Sequence, residues 1–272
     1  MRDLRDKVVV ITGGSSGIGF ALAMEFGRLG AGIVISARNQ QNLDDALQKI
    51  RASGIKAIAV RADVSVEEDC RNLIEQAISH FGNIDILVNN AGISMRAVFA
   101  KTDLSVLKRL MDTNFWGTVF CTKYALPHLL KTRGSVVGII SVAGYVGLPG
   151  RTGYSASKFA VRGFLDTLRC ENLKTGLHVL VAAPGFTSSN IRTAALKADG
   201  TIQGETPRNE ANMMPASVAA RKIVRATLRR KDSIILTLLE GKLSVLLNQL
   251  MPKIMSRLAY HYMAKEPDSP FN

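Results

Sequence analysis

Apolar residues along this chain gather into short runs bounded by glycine, asparagine, aspartate and serine. "KVVVIT" (7–12), "GIVISA" (32–37), "KAIAVRA" (56–62) and "IDILVNN" (84–90) are the first four; "GSVVGIIS" (134–141), "LHVLVAA" (177–183) and "SIILTL" (233–238) continue the series. Each is short and rich in Val and Ile, which predicts strands. Their apolar positions are nearly continuous rather than alternating, so both faces of each strand should be covered, as in a parallel sheet. Helix-sized segments at 17–29, 41–53 and 66–81 lie between the first strands. Strand and helix alternating in this way predict an α/β fold: a Rossmann-type, doubly wound parallel sheet of about seven strands with helices on both faces.

The pattern fails after "APG" (183–185). The segment "FTSSNIRTAALKADGTIQGETPRNEANMMP" is polar, interrupted by Gly200, Gly204 and Pro207, and has no sustained strand period. Long irregular stretches in compact domains are usually functional or mobile, and ligands of open α/β sheets bind beyond the carboxyl ends of the strands. A substrate lid at about 186–215 is therefore expected, within a catalytic domain spanning 1–241. Residues 242–272 form a basic, amphipathic C-terminal extension. Leu243, Leu246, Leu247, Leu250, Ile254, Leu258 and Tyr262 recur there at helical spacing, and Pro252 should kink or divide the helix. Lys242, Lys253, Arg257 and Lys265 surround this stripe. Three placements follow: the helix packs on its own domain, over the pocket or against a second subunit; it makes peripheral contact with an anionic membrane through 242–265; or it meets another protein partner.

Composition narrows these expectations. A chain of 272 residues with 47% apolar content suits one globular domain. No run reaches the roughly 18 apolar residues of a transmembrane helix, and the N-terminus enters a strand too soon for a signal peptide, so a cytoplasmic location is expected. Cys70, Cys121 and Cys170 fit no metal-ligand spacing and are expected as buried, reduced thiols. The net charge of +13 suits a phosphorylated cofactor, an anionic substrate or a membrane surface; no nucleic-acid motif accompanies it.

Candidate chemistry begins after the first strand with "TGGSSGIG" (12–19). Gly13, Gly17 and Gly19 would let the backbone turn tightly against a diphosphate, and a helix starting near Gly17 would aim its N–H groups at that anion. The second strand ends "ISARNQ", with no acid to hold ribose hydroxyls and with Arg38 placed to meet a 2′-phosphate. NADP(H) is therefore expected over NAD(H).

With "ADV" (62–64), "NNAG" (89–92), Asn114, Ser141, "YSASK" (154–158) and "PG" (184–185) following in order, the sequence resembles the short-chain dehydrogenase/reductase family over residues 5–240. Its "MDTNFWGTVFCTKYALPHLL" and "SNIRTAALKADGT" stretches resemble the branch with 11-beta-hydroxysteroid-dehydrogenase-like and acyl-dihydroxyacetone-phosphate-reductase-like enzymes. The resemblance implies that Ser15, Ser16, Ile18, Asn90, Ala91, Gly92, Pro184 and Gly185 contact the cofactor, that Asp63 and Val64 meet its adenine, and that Asn89 braces the central strand. Thr187 and Ser189 stand where the family has other nicotinamide contacts. It also implies a hydrophobic or lipid-like carbonyl or alcohol substrate and a homodimer or homotetramer.

Tyr154 and Lys158 are four residues apart and share one helical face. The ammonium of Lys158, helped by an oxidised nicotinamide, should lower the tyrosine pKa toward the working range. Ser141, at the end of the fifth strand, could donate to a substrate oxygen as charge develops on it. By resemblance, Asn114 completes a proton relay through a water joined to Lys158. These four residues are the expected catalytic set, with Ser141 and Tyr154 also touching substrate, and no metal is expected. Ile93, Met95, Val142, Tyr145 and Phe186 are the expected pocket lining. The competing reading is a nucleotide sensor that keeps the fold and binds NADP(H) without turnover.

Overall fold

The computed structural model describes residues 3–206 and 213–271; the part of the expected lid at 207–212 lies outside them. Among the described residues, seven parallel strands form one sheet in the order β3-β2-β1-β4-β5-β6-β7. They are β1 (Val8–Thr12), β2 (Gly32–Ala37), β3 (Ala57–Arg61), β4 (Ile86–Asn89), β5 (Ser135–Ile139), β6 (His178–Ala183) and β7 (Ser233–Ile235). The central strands β1, β4, β5 and β6 are buried along their whole length, as their unbroken apolar sequences require; the edge strands β3 and β7 are partly open. β7 stops three residues short of the expected 238, because Leu238–Leu243 turns into a short π-helical segment.

Helices α1 (Gly17–Gly27), α2 (Gln40–Ala52) and α3 (Glu67–Phe81) join the first four strands. α4 (Leu104–Leu110) and α5 (Gly117–Thr132) precede β5, α6 (Thr152–Glu171) precedes β6, and α7 (Ala216–Leu228) precedes β7. One face of the sheet carries α1, α2 and α7 over Ile11, Ile33 and Ile35, with Leu22, Phe26 and Ile223 filling the layer. The other carries α3, α5 and α6 over Leu87, Val136 and Val181, with Leu73, Leu129 and Leu165 between. Cys70 and Cys121 lie inside this second layer. Cys170 does not: it is exposed, because near the end of α6 the inward positions belong to Leu165 and Leu168.

Strand order reverses between β1 and β4, so the loops leaving their carboxyl ends diverge and open a crevice there. The chain beyond β7 returns to it. α8 (Ser244–Leu250) and α9 (Pro252–Ala264) meet at Met251 and Pro252, which sits in the first turn of α9 where its missing N–H costs no hydrogen bond. They bury Val245, Met255 and Ala259 against Val142 and Val146. The packed face is therefore not the leucine stripe seen in the sequence. Leu243, Leu246, Leu250, Ile254, Leu258 and Tyr262 are exposed, because inward positions went to smaller or more flexible side chains.

Candidate active site

The glycine-rich turn leaves β1 and enters α1. Gly13 (φ 65°) and Gly17 (φ 53°) adopt left-handed backbone conformations that side chains with a Cβ rarely adopt. At Gly19 a Cβ would lie 2.2 Å from the Gly13 carbonyl oxygen, so the turn closes this tightly only without one. Thr12 and Asn90 lock the turn to the end of β4. The Thr12 hydroxyl accepts from the Asn90 and Ala91 amides at 3.0 Å each, and Asn90 Nδ2 donates to the Thr12 and Gly13 carbonyls at 2.9 and 3.1 Å. Gly13, Ser15, Ser16, Gly17 and Ile18 thereby line a cavity at the N-terminus of α1, the end of a helix that favours anions.

Arg38 is exposed at one end of this cavity, and Arg61 Nε holds its carbonyl at 3.2 Å. Asn39 caps α2 by accepting from the Asn42 amide at 2.9 Å, and Ser36, Asn39 and Asn42 line the same end.

Lys158 comes from the second turn of α6. Its Nζ donates to the Ile139 carbonyl at 3.0 Å, tying α6 to the end of β5, and lies 5.8 Å from the centroid of the Tyr154 ring. Burial depresses the lysine pKa to about 8. Gly92 closes over these groups: a Cβ there would stand 3.0 Å from Asn114 Oδ1 and 3.3 Å from Lys158 Nζ. Ser141 follows β5 in extended conformation, accepts from the Ala143 amide at 3.2 Å and hydrogen-bonds Tyr154.

The Tyr154 pKa is expected to fall with an oxidised nicotinamide beside it; in the protein by itself the balance runs the other way. Burial raises the tyrosine pKa, and the opposing effects of the Ser141 hydrogen bond and of the Arg151 and Arg192 charges do not cancel that rise. Lys158 is absent from those opposing effects. Burial works on the two groups in opposite senses, raising the phenol and lowering the ammonium, so both are pushed toward their neutral forms.

Asn114 sits in a π-helical turn, Met111–Trp116, between α4 and α5, a feature frequent at functional sites. It is buried behind the cavity wall, its side-chain amide both accepting and donating. Oδ1 accepts from the Ile93 amide at 2.8 Å, and Nδ2 donates to the Ile93 carbonyl at 2.9 Å and to Ser157 Oγ at 2.8 Å. It thereby joins the loop after β4 to the α6 face beside Lys158.

The resulting cleft measures about 1270 Å³, above the roughly 300–1,000 Å³ of an ordinary small-molecule site. It brings together Gly13, Ser15, Ser16, Gly17, Ile18, Arg38, Val64, Asn90, Ala91, Gly92, Ser141, Tyr154, Lys158, Pro184, Gly185, Thr187 and Ser189. Gly19, Asp63 and Asn114 are not on its wall. Asp63 Oδ1 accepts from the Ser65 amide and hydroxyl at 3.0 and 2.7 Å, and Asn89 Nδ2 donates to Thr122 at 2.9 Å within the core.

Of the expected pocket residues, Ile93, Val142 and Phe186 line the cleft. Met95 and Tyr145 do not. Met95 is fully buried, receiving the Gly153 amide on its sulfur at 3.3 Å, and Tyr145 lies under the Arg162 guanidinium, 3.9 Å from its ring centroid. Sequence inspection did not single out Arg151 and Arg192, which flank Tyr154, or Met255; Leu246, Leu250, Leu258 and Tyr262 line the cleft, in keeping with the expected placement of 242–265 over the pocket. No local motif marks the two arginines or Met255, since each reaches the site through a tertiary contact. In the segment expected as a lid, Thr187 pairs with Met214, and Leu196 pairs with Met95 and Ile202.

Residues 7–200 match the sequence profile described as short chain dehydrogenase. The chain is 41% identical over 231 residues to "11-beta-hydroxysteroid dehydrogenase A" of Arachis hypogaea, covering 82% of this chain and 66% of that protein, just under two thirds of its length. It is 34% identical over 273 residues to "Dehydrogenase/reductase SDR family member 7B" of Bos taurus, covering 98% of this chain and 84% of the relative. Among solved structures, a short chain dehydrogenase/reductase from Burkholderia phymatum in complex with NAD superposes with a TM-score of 0.84 at 23% identity, covering 93% of this chain and 96% of that one. An alcohol dehydrogenase from Thermococcus sibiricus complexed with 5-hydroxy-NADP gives 0.74, also at 23% identity, covering 84% and 95%.

Proposed function

The chain belongs to the short-chain dehydrogenase/reductase family, oxidoreductases acting between CH–OH and C=O, and on that premise we propose that it reduces a hydrophobic or lipid-like ketone with NADPH, or runs the reverse oxidation. The observation that carries the reading is the convergence of Ser141, Tyr154 and Lys158 beside the glycine-rich turn in a single cleft whose outer wall is leucine-rich. Residues 1–241, with a lid at about 186–215, act as the catalytic domain; 242–272 supply the apolar wall.

NADPH, when bound, supplies the hydride. The turn from Gly13 to Ile18 would hold its diphosphate, Val64 with Ala91 and Gly92 the adenosine and ribose side, and Pro184, Gly185, Thr187 and Ser189 the opposite wall. Ser141 donates a hydrogen bond to the ketone oxygen as charge grows there. Tyr154 donates the proton; its raised pKa keeps it protonated at neutral pH, the form that reduction needs. Lys158 holds the ribose in register with the tyrosine. Asn114, its amide spent on Ile93 and Ser157, braces the wall that keeps these groups in place.

Tyr154→Phe should lower ketone reduction at least about a thousandfold while leaving NADPH affinity within about twofold. Retained turnover in that variant would remove the phenol from the mechanism. A protein that merely senses the cofactor would bind NADPH yet reduce none of a panel of steroid, acyl and quinone carbonyls.

The preference for NADP(H) rests on Arg38, which stands at the mouth with no acidic residue beside it on "ISARNQ". Steady-state kinetics should favour NADPH over NADH by at least about tenfold, with Arg38→Ala raising KM for NADPH alone. An equal effect on both cofactors would refute the 2′-phosphate contact.

Two interactions complete the proposal. Trp116, Phe159 and Leu104 are exposed on the outer faces around α4 to α6, which fits pairing with a second copy as a homodimer or homotetramer. The exposed leucines of α8 and α9, with Lys242, Lys253, Arg257 and Lys265 among them, fit peripheral contact with an anionic bilayer.

A further inference from the structure

We propose that Glu266, near the far end of the chain, is a positioning residue for the active site: its carboxylate holds Arg151, and through it the start of α6 and Tyr154. The inference rests on the oxidoreductase reading above and adds to it a residue outside the family's shared motifs.

Beyond α9 the chain hooks back toward the catalytic helix. Ser269 Oγ donates to the Met263 carbonyl at 3.3 Å, the Phe271 ring lies 5.2 Å from that of Tyr260, and Pro270 and Phe271 abut Gly150. Within this hook the Glu266 side chain is only 4% exposed. Acidic side chains are almost never buried without partners, and two arginines pair with this one. Its Oε2 is 3.4 Å from Arg96 Nε and 3.5 Å from Arg151 Nη2. Both guanidinium groups are themselves largely buried, at 9% and 12% exposure. Arg96 also donates through Nη2 to the Pro267 carbonyl.

These arginines belong to loops that frame the substrate side of the cleft. The Ala97 amide donates to the Gly150 carbonyl at 3.0 Å, Arg96 to Leu196 at 2.8 Å, and Leu196 back to Ser94 at 2.9 Å. The loop after β4, the segment before α6 and the lid are thus stitched together. Arg151 immediately precedes α6, and its carbonyl accepts the Ser155 amide at 2.8 Å in the first turn of that helix. Tyr154 lies three residues on, close enough for the guanidinium charge to act on its phenol. Removing the carboxylate would leave two buried cations facing each other across the hook. Their separation would move Arg151, and the tyrosine hydroxyl with it, away from Ser141. Displacements on this scale are felt strongly in proton-transfer geometry.

The test compares wild type, Glu266→Gln, Arg151→Gln and the double variant in NADPH-dependent reduction of a steroid ketone, with NADPH binding measured separately by fluorescence. Glu266→Gln should lower kcat about tenfold with the Kd for NADPH within about twofold, and the double variant should be no slower than Arg151→Gln alone. Glu266→Asp, which keeps the charge, should return kcat to within about threefold of wild type. An unchanged kcat in Glu266→Gln, losses that multiply in the double variant, or an aspartate variant as slow as the glutamine one would each overturn the assignment. Should Glu266→Gln not fold, Arg151→Lys takes its place: it keeps the charge, loses the planar grip, and should show the same kcat loss at unchanged NADPH affinity. If instead it matches wild type, the assignment fails. Active wild type with unaffected variants refutes this inference alone; wild type inactive on every ketone takes down the oxidoreductase reading and this inference with it.

Discussion

Lys158 shows how a single side chain can serve function at the expense of the fold. Its pKa falls from an ordinary 10.5 to about 8 because burial penalises the ammonium. A lysine whose pKa is lowered on folding makes the folded protein bind fewer protons than the unfolded chain between about 8 and 10.5. Stability therefore rises with pH through that window, and the penalty is greatest below it. Lys158→Met should raise the melting temperature of the cofactor-free protein by roughly 3–6 °C at pH 7, with the gain vanishing by about pH 10, while turnover is lost. A lower melting temperature at pH 7 would contradict the burial account. The pairing of Tyr154 with Lys158 was legible from their spacing, because a helix puts positions four apart on one face. The direction of the tyrosine pKa was not, since it depends on burial and on Arg151 and Arg192, which no spacing rule brings together.

Elements divide in the same way. The strands were readable to within about two residues at most ends, because buried parallel strands need unbroken Val and Ile runs and glycine or asparagine at their ends. The division at Pro252 was legible for the same local reason. Which face of α8–α9 turns inward was not, for a 3.6-residue period marks an apolar stripe without saying what covers it. Leu246, Leu250 and Leu258 are 51%, 70% and 53% exposed at the rim of the cleft, which is costly in water and favourable at a headgroup boundary. With vesicles of mixed phosphatidylcholine and phosphatidylserine, Leu246→Ser/Leu250→Ser should cut sedimentation at least about threefold. Wild-type binding should weaken as salt screens Lys253 and Arg257. Indistinguishable sedimentation of the two proteins would leave these leucines without a role at lipid.

At the scale of the molecule, the parallel sheet β3-β2-β1-β4-β5-β6-β7 sets the glycine turn after β1, Ser141 after β5 and the irregular segment after β6 at the carboxyl ends of its strands, and alternation of strand and helix foretold as much. No helix among the described residues is long and apolar enough to cross a membrane. Hidden from the sequence were the contacts that close the cleft from the side, such as Glu266 with Arg151 across 115 positions. Such pairs have no local signature, because only the assembled sheet brings them within reach. The family profile ends at residue 200, whereas the leucine-rich wall is drawn from 239 to 263. That part of the cleft wall therefore lies beyond the stretch the family profile matches, while Ile93, Val142 and Phe186 line the cleft from within it. On the proposed reading, substitutions at Leu246, Leu250 or Leu258 would retune what the wall accepts without touching Tyr154, whereas one at Glu266 would reach the tyrosine through Arg151.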